Sequence, residues 1–215
     1  MSLRWTILAP AYDRMTRKGE EAGLGAMRES LLSDAEGRVL EIGGGTGSNL
    51  RYYGESDSLV VTEPEPAMLR RLQDKVREQA PGAEVVQAPA EDLPFEDASF
   101  DTVVSTLVLC GADQERSLGE VRRVLRPGGR LLFLEHVRAD DPKLARFQDR
   151  MNWLNRFLVG CECNRQTLAA IEGAGFTISR VEHATMPEAP KFVRPLVIGA
   201  AVAAGYVEAL PGTMA

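Results

Sequence analysis

The chain has 215 residues, enough for one domain with a full core and short for two. With 44% hydrophobic and 26% charged residues, its composition is that of an ordinary globular protein. A net charge of -6 leaves no basic surplus to neutralise phosphates, so no nucleic-acid partner is expected.

The segment up to about Leu32 reads as helical and precedes a strand–helix alternation that begins near residue 38. "RVLEI" (Arg38–Ile42) is a buried first strand running into glycines, and Asn49–Tyr53 has room only for a short helix. "SLVVT" (Ser58–Thr62) is the second strand. Met68, Leu69, Leu72 and Val76 then fall at helical spacing over Pro66–Gln79, with proline placed where a first turn tolerates it. "AEVVQ" (Ala83–Gln87) and "FDTVVST" (Phe100–Thr106) are strands three and four. Gln114–Leu125 carries Leu118, Val121 and Leu125 on one face, and Pro127-Gly128-Gly129 ends it sharply. "RLLFLEHV" (Arg130–Val137) is the fifth strand. A helix over Arg165–Gly173, a strand at Phe176–His183 and a seventh at Leu196–Ala204 complete the alternation of an α/β protein with a parallel sheet.

Two stretches stand outside it: residues 1–32, an N-terminal helical cover, and residues 142–160, where Leu144, Phe147, Met151, Leu154 and Leu158 recur at helical steps. Both are expected to cover a site at the carboxyl ends of the strands, where open α/β sheets place ligands. Trp153 and Phe157 are expected in an apolar acceptor pocket there. No linker divides the chain, so 1–215 reads as a single domain. The longest apolar run, Leu196–Val207, falls short of the ~20 residues that span a bilayer. No cleavable signal peptide is legible. Cys110, Cys161 and Cys163 have neither disulfide nor zinc-site spacing, so reduced cytoplasmic thiols and no metal are expected.

"VLEIGGGTGSNL" (Val39–Leu50) carries the chemistry. Glycines after a strand let the backbone turn tightly and a ligand approach without meeting a β-carbon. A dinucleotide fingerprint would need its third glycine where Ser48 stands; Gly43, Gly45 and Gly47 instead give G-x-G-x-G, and no Gly-Lys follows to make a phosphate loop. Glu41, two residues before the first glycine, disfavours a pyrophosphate and suits a cationic ligand. Glu63, twenty residues after Gly43 at the end of the second strand, suits bidentate bonding to ribose hydroxyls. A ribose, a positive centre and no phosphate together describe S-adenosylmethionine.

With "TEPEPAML", "AEDLPFEDASFDTVVS" and "EVRRVLRPGGRLLFLEHV", the loop makes residues 39–174 resemble the class I methyltransferases. The closest branch is methyltransferase type 11, with the quinone-biosynthesis and small thiol enzymes. "STLVLC" and "VGCECNRQTL" look closer to the thiol side. The resemblance implies a Rossmann-like, doubly wound, seven-stranded sheet, mostly parallel with an antiparallel last strand. It places Gly43, Gly45 and Gly47 under the methionine and ribose, and Glu63 on both ribose hydroxyls. Pro64 and Met68 fall near the adenine, Ala90 and Glu91 at its edge, and Thr106 and Leu107 by the methionine amino group. Pro89 replaces the aspartate that often reads the adenine amine. The implied reaction is in-line methyl transfer to a small-molecule acceptor: a thiol, a quinone-like phenol or a lipid-like compound. His136, at the rim of the fifth strand, is the candidate general base. Tyr12 and Asp13 are candidates for a lid. The alternative is a catalytically silent domain that binds cofactor and serves in interactions.

Overall fold

A computed structural model of the chain describes residues 3–54 and 58–203. Seven strands form one sheet: β1 (Arg38–Ile42), β2 (Ser58–Thr62), β3 (Glu84–Val86), β4 (Phe100–Thr106), β5 (Leu125–His136), β6 (Phe176–Thr185) and β7 (Pro195–Ala203), in the order β3-β2-β1-β4-β5-β7-β6. Strands β1 to β5 pair in parallel, and β7 runs antiparallel between β5 and β6. The order reverses between β1 and β4, and that switch point opens a crevice at the strands' carboxyl ends.

The inner strands are nearly continuous apolar runs because helices cover both faces. Successive side chains point to opposite faces. Phe100, Val103, Leu131 and Phe133 therefore pack on one side, with Leu118 and Val121 of α4 (Gln114–Val124) and Ile171 of α6 (Thr167–Gly173). On the other side Val39, Val61, Val104, Leu132 and Leu134 meet Leu31 and Leu32 of α2 (Gly25–Leu32) and Leu69, Leu72 and Val76 of α3 (Pro66–Gln79). The Asp113 carboxylate accepts the Arg116 N–H and caps α4; Asp141 does the same for Lys143 and Leu144 at the start of α5 (Pro142–Val159).

Two details refine the sequence expectation and one, the start of β5, differs from it. The cover is two helices, α1 (Leu3–Gly19) and α2, joined by a π-turn over Glu20–Leu24 in which Gly23 has φ +135°. Strand β5 starts at Leu125 and not at Arg130: Leu125 pairs with Phe100, Arg130 pairs with Thr102, and the Pro-Gly-Gly stretch between them makes the register slip. Asn49–Tyr53 holds a 3-10 turn, Leu50–Tyr52. The seventh strand agrees with expectation to within a residue, and Ala204 lies outside the described residues.

Candidate cofactor site and the cleft beside it

The glycine loop leaves β1 with Gly43 and Gly45 at φ +59° and Gly47 at φ +83°, conformations that carry a steric penalty for any residue with a β-carbon. The Gly44 N–H donates to the Thr62 carbonyl at 2.8 Å and ties the loop to β2. A β-carbon would lie 2.7 Å from Val108 at Gly43, 2.3 Å from Val61 at Gly44 and 2.7 Å from Leu50 at Gly47, but would meet nothing within 4 Å at Gly45. Three glycines are therefore required by packing, and Gly45 alone faces open space. Its N–H donates to Glu63 Oε2 at 2.8 Å, while Glu63 Oε1 accepts the Glu65 N–H at 2.9 Å. Burial raises the Glu63 pKa against those two bonds. Each oxygen keeps a second lone pair. Open space over a glycine backbone, beside a buried carboxylate with acceptor capacity left, fits a ribose.

Glu41 is placed differently from its expected role as the ligand's counter-charge. It is buried, Oε1 accepting from Asn49 Nδ2 and Oε2 from the Tyr53 hydroxyl, each at 2.9 Å. Arg28 Nη1 donates to Asn49 Oδ1 at 2.8 Å and to Thr106 Oγ1 at 3.0 Å, and its Nε to Glu20 at 3.1 Å. Asn49 also reaches Thr106 at 2.9 Å. Burial pushes the Glu41 carboxyl up to about 7, with Tyr53, Arg28 and Asn49 opposing. This network fastens α2 to the ends of β1 and β4, beneath the loop. Sequence reasoning missed Arg28, Asn49 and Tyr53. Arg28 had one signal: it occupies the apolar stripe of Leu24 and Leu31.

The cover closes over the loop through Asp13, which accepts from Thr46 Oγ1 at 2.5 Å and pairs with Lys75 at 2.8 Å. Tyr12, the other lid candidate, is partly buried beside it. Pro64 is exposed; Met68 and Ala90 are buried. The Glu91 carboxylate accepts the Asp113 N–H at 2.9 Å, so it is occupied at the start of α4. Leu107 has φ +60°, a strained backbone for a branched side chain, and its N–H donates to the Leu134 carbonyl at 2.8 Å. Glu135 stabilises that turn. Its buried carboxylate accepts from Ser105 Oγ at 2.7 Å and from the N–H groups of Val108, Leu109 and Cys110 at 3.0–3.3 Å.

His136 ends β5, as expected, but the imidazole turns inward. It is buried, and its Nδ1 has no hydrogen-bond partner. Burial pushes its pKa down to about 4, so the ring is neutral at pH 7. Beside it a cleft of about 720 Å³ opens between the end of β5, the start of α5 and the β6–β7 turn, lined in part by Arg138, Lys143, His183, Lys191 and Arg194. Trp153 and Phe157 do not line it; they are 69% and 75% exposed. The three cysteines are free thiols.

Comparison with known proteins places the chain among methyltransferases. A family model described as a methyltransferase domain matches residues 40–133. The human thiol S-methyltransferase TMT1A is 35% identical over 171 residues, 76% of this chain and 70% of that protein. The ubiquinone/menaquinone biosynthesis C-methyltransferase UbiE of Hahella chejuensis is 38% identical over 118 residues, 52% of this chain and 47% of its own. Among solved structures, a SAM-dependent methyltransferase of Thermotoga maritima, described as a possible histamine N-methyltransferase, superposes with a TM-score of 0.70 at 21% identity. That match covers 94% of this chain and all of the other.

Proposed function

The chain belongs to the class I S-adenosylmethionine-dependent methyltransferases, and from that premise we propose that it methylates a small thiol, taken as the thiolate. The observation that carries this reading is the extent of the likeness to a thiol S-methyltransferase, three quarters of the chain, against half for the quinone enzyme.

When bound, the cofactor supplies a methyl group on a positively charged sulfur that is its own leaving group. Glu63 is assigned to the ribose hydroxyls and the open backbone at Gly45 to the methionine–ribose side, with Gly43 and Gly47 shaping the turn. Pro64, Met68, Ala90 and the backbone of Glu91 are assigned to the adenine, and Thr106 and Leu107 to the methionine end. Glu41 acts indirectly, through Asn49 and Thr106. Holding the reacting atoms in line is worth up to ~7–11 kcal/mol, and the cover fastened by Asp13 and Arg28 excludes water. A thiol ionises near pH ~8.5, so it loses its proton with little help. That suits a site whose buried histidine is a weak base. His136 positions the end of β5 against the β6–β7 turn.

No helix among the described residues is long and apolar enough to cross a membrane, and we assign the enzyme to the cytoplasm, where acceptor thiols stay reduced. Release of S-adenosylhomocysteine across a panel of thiols, phenols, amines and lipids tests the proposal. Turnover is expected with thiols, with kcat/KM rising with pH until the thiol is ionised. Turnover with a phenol and with none of the thiols would overturn it; binding of cofactor without turnover on any acceptor marks a silent domain.

A further inference from the structure

Helix α5 buries one stripe, Ala145, Gln148 and Asn155, and its Gln148 amide ties the helix to the carbonyls of Val137, Cys163 and Phe192. The opposite side is exposed and is not an ordinary solvated face. At steps of four, three and four residues it presents Arg146, Arg150, Trp153 and Phe157, and beside them Lys143, Phe147 and Leu158. Trp153, Phe157 and Leu158 are more than half exposed. The helix's one acid, Asp149, is engaged by Arg138 and Asn164, whereas Lys143, Arg146 and Arg150 make no ion pair among the described residues. The surface continues across the edge-to-face contact of Phe147 with Phe192, centroids 5.7 Å apart, to Lys191 and Arg194 in the cleft. In a chain of net charge -6, this face thus carries Lys143, Arg146, Arg150, Lys191 and Arg194, none in an ion pair among the described residues, interleaved with aromatic rings and with Asp140 and Asp141 at its edge.

We propose that α5 and the adjoining β6–β7 turn dock the enzyme on the surface of an anionic lipid bilayer, with α5 lying in the interface plane. Cations beside exposed Trp and Phe match that environment on both counts: headgroup phosphates neutralise the charges, and aromatic rings settle at headgroup depth. An ordinary protein partner would satisfy the rings but needs a separate source of acid for each cation. With its charged residues the helix lies on a membrane and does not cross it.

Flotation of the purified chain with phosphatidylcholine vesicles, with and without phosphatidylglycerol, tests the proposal. Partitioning should be at least about tenfold stronger on the anionic vesicles and should weaken with salt. In a Trp5→Phe background the remaining tryptophan emission should shift to the blue on binding. The pair Trp153→Glu and Phe157→Glu should cut partitioning at least about tenfold, and Arg146→Gln with Arg150→Gln several-fold. Thermal midpoint and cofactor affinity should not move, because these side chains are exposed. Absence of flotation by the parent, or equal flotation by the glutamate variant, overturns the proposal. So does a dimer in light scattering that the glutamate variant dissociates while the parent ignores vesicles, which would give the face to a second copy.

Discussion

The two halves of the sheet are built by different rules. In β3-β2-β1-β4 all strands are parallel, and the loop features of the candidate cofactor site lie within a few residues of a strand end: Gly43–Gly47 after β1, Glu63 after β2, Leu107 after β4. In β5-β7-β6 the site is made by pairing across long separations, with His136 opposite Leu196 and the cleft closed by a turn some fifty residues downstream of β5. The halves also differ electrically. Both bury carboxylates that burial pushes up, Glu41 and Glu63 in the first and Glu135 in the second, but only the second adds a buried histidine that burial pushes down. One half thus builds the candidate cofactor site from local devices, and the other shapes a cleft by long-range packing.

The largest expected effect falls in the first half. Glu63→Ala should weaken cofactor binding by about 2–4 kcal/mol, or roughly 30- to 1000-fold, through loss of charge-assisted bonds to the ribose. The same carboxylate holds the N–H groups of Gly45 and Glu65, so folding stability should fall by ~1–2 kcal/mol as well. Glu63→Gln should be milder in both. Calorimetric titration beside a urea melt measures the two; a variant that binds within threefold of the parent removes Glu63 from the ribose.

A pair of alanine substitutions sharpens the same half from inside the loop. Gly44→Ala drives a methyl into Val61 and should cost ~2 kcal/mol of stability. Gly45→Ala meets no protein atom and should cost only ~1 kcal/mol through its positive φ, yet weaken cofactor binding at least about tenfold by filling the open space. Thermal melts with and without S-adenosylhomocysteine tell them apart. If Gly45→Ala retains full ligand-induced stabilisation, the cofactor does not lie over Gly45.

The smallest effect separates the halves by pH. Glu41 has its pKa raised from 4.5 to about 7, so the fold favours its protonated form, and its stabilising contribution is lost as pH rises from about 4.5 to 7. His136 has its pKa lowered from 6.5 to about 4, so its contribution is lost as pH falls from about 6.5 to 4. Between roughly pH 4.5 and 6.5 the two slopes oppose, each about 1.4 kcal/mol per pH unit at most. Urea melts across this window should show stability rising with pH in Glu41→Gln and falling with pH in His136→Ala. Identical slopes in the parent and both variants would remove either group from the balance.

Legibility in the sequence followed the same division. The strands, Pro66 at the start of α3, the turn of the glycine loop and the place of Glu63 at the end of β2 are readable because each depends on near neighbours. The slip that starts β5 at Leu125 was not, because it depends on pairing with Phe100, and the Pro-Gly-Gly signal was read as a stop when it also bends a strand. Glu41 was recognised as unusual but misplaced, since only the fold brings Arg28 across to Asn49 and Thr106. The organising carboxylate of Glu135 gave no local sign at all. Its four donors come from the end of β4 and the loop after it, some twenty-five to thirty residues earlier. Apolar periodicity in α5 suggested a pocket-lining face, whereas the structure buries the stripe of Gln148 and Asn155 and leaves Trp153 outside.

The antiparallel insertion of β7 also sets an order of assembly. On the ribosome β1 to β5 emerge first, and any parallel pairing among them leaves the "LLFL" edge of β5 without a neighbour. Strands β6 and β7 are close in sequence, so their hairpin forms quickly once made. Only then is the apolar edge of β5 covered, by the register that pairs Leu131 with Ala201 and Leu134 with Ile198. Until residues 195–203 have been synthesised, the nascent chain carries an open, sticky strand edge of the kind that templates aggregation.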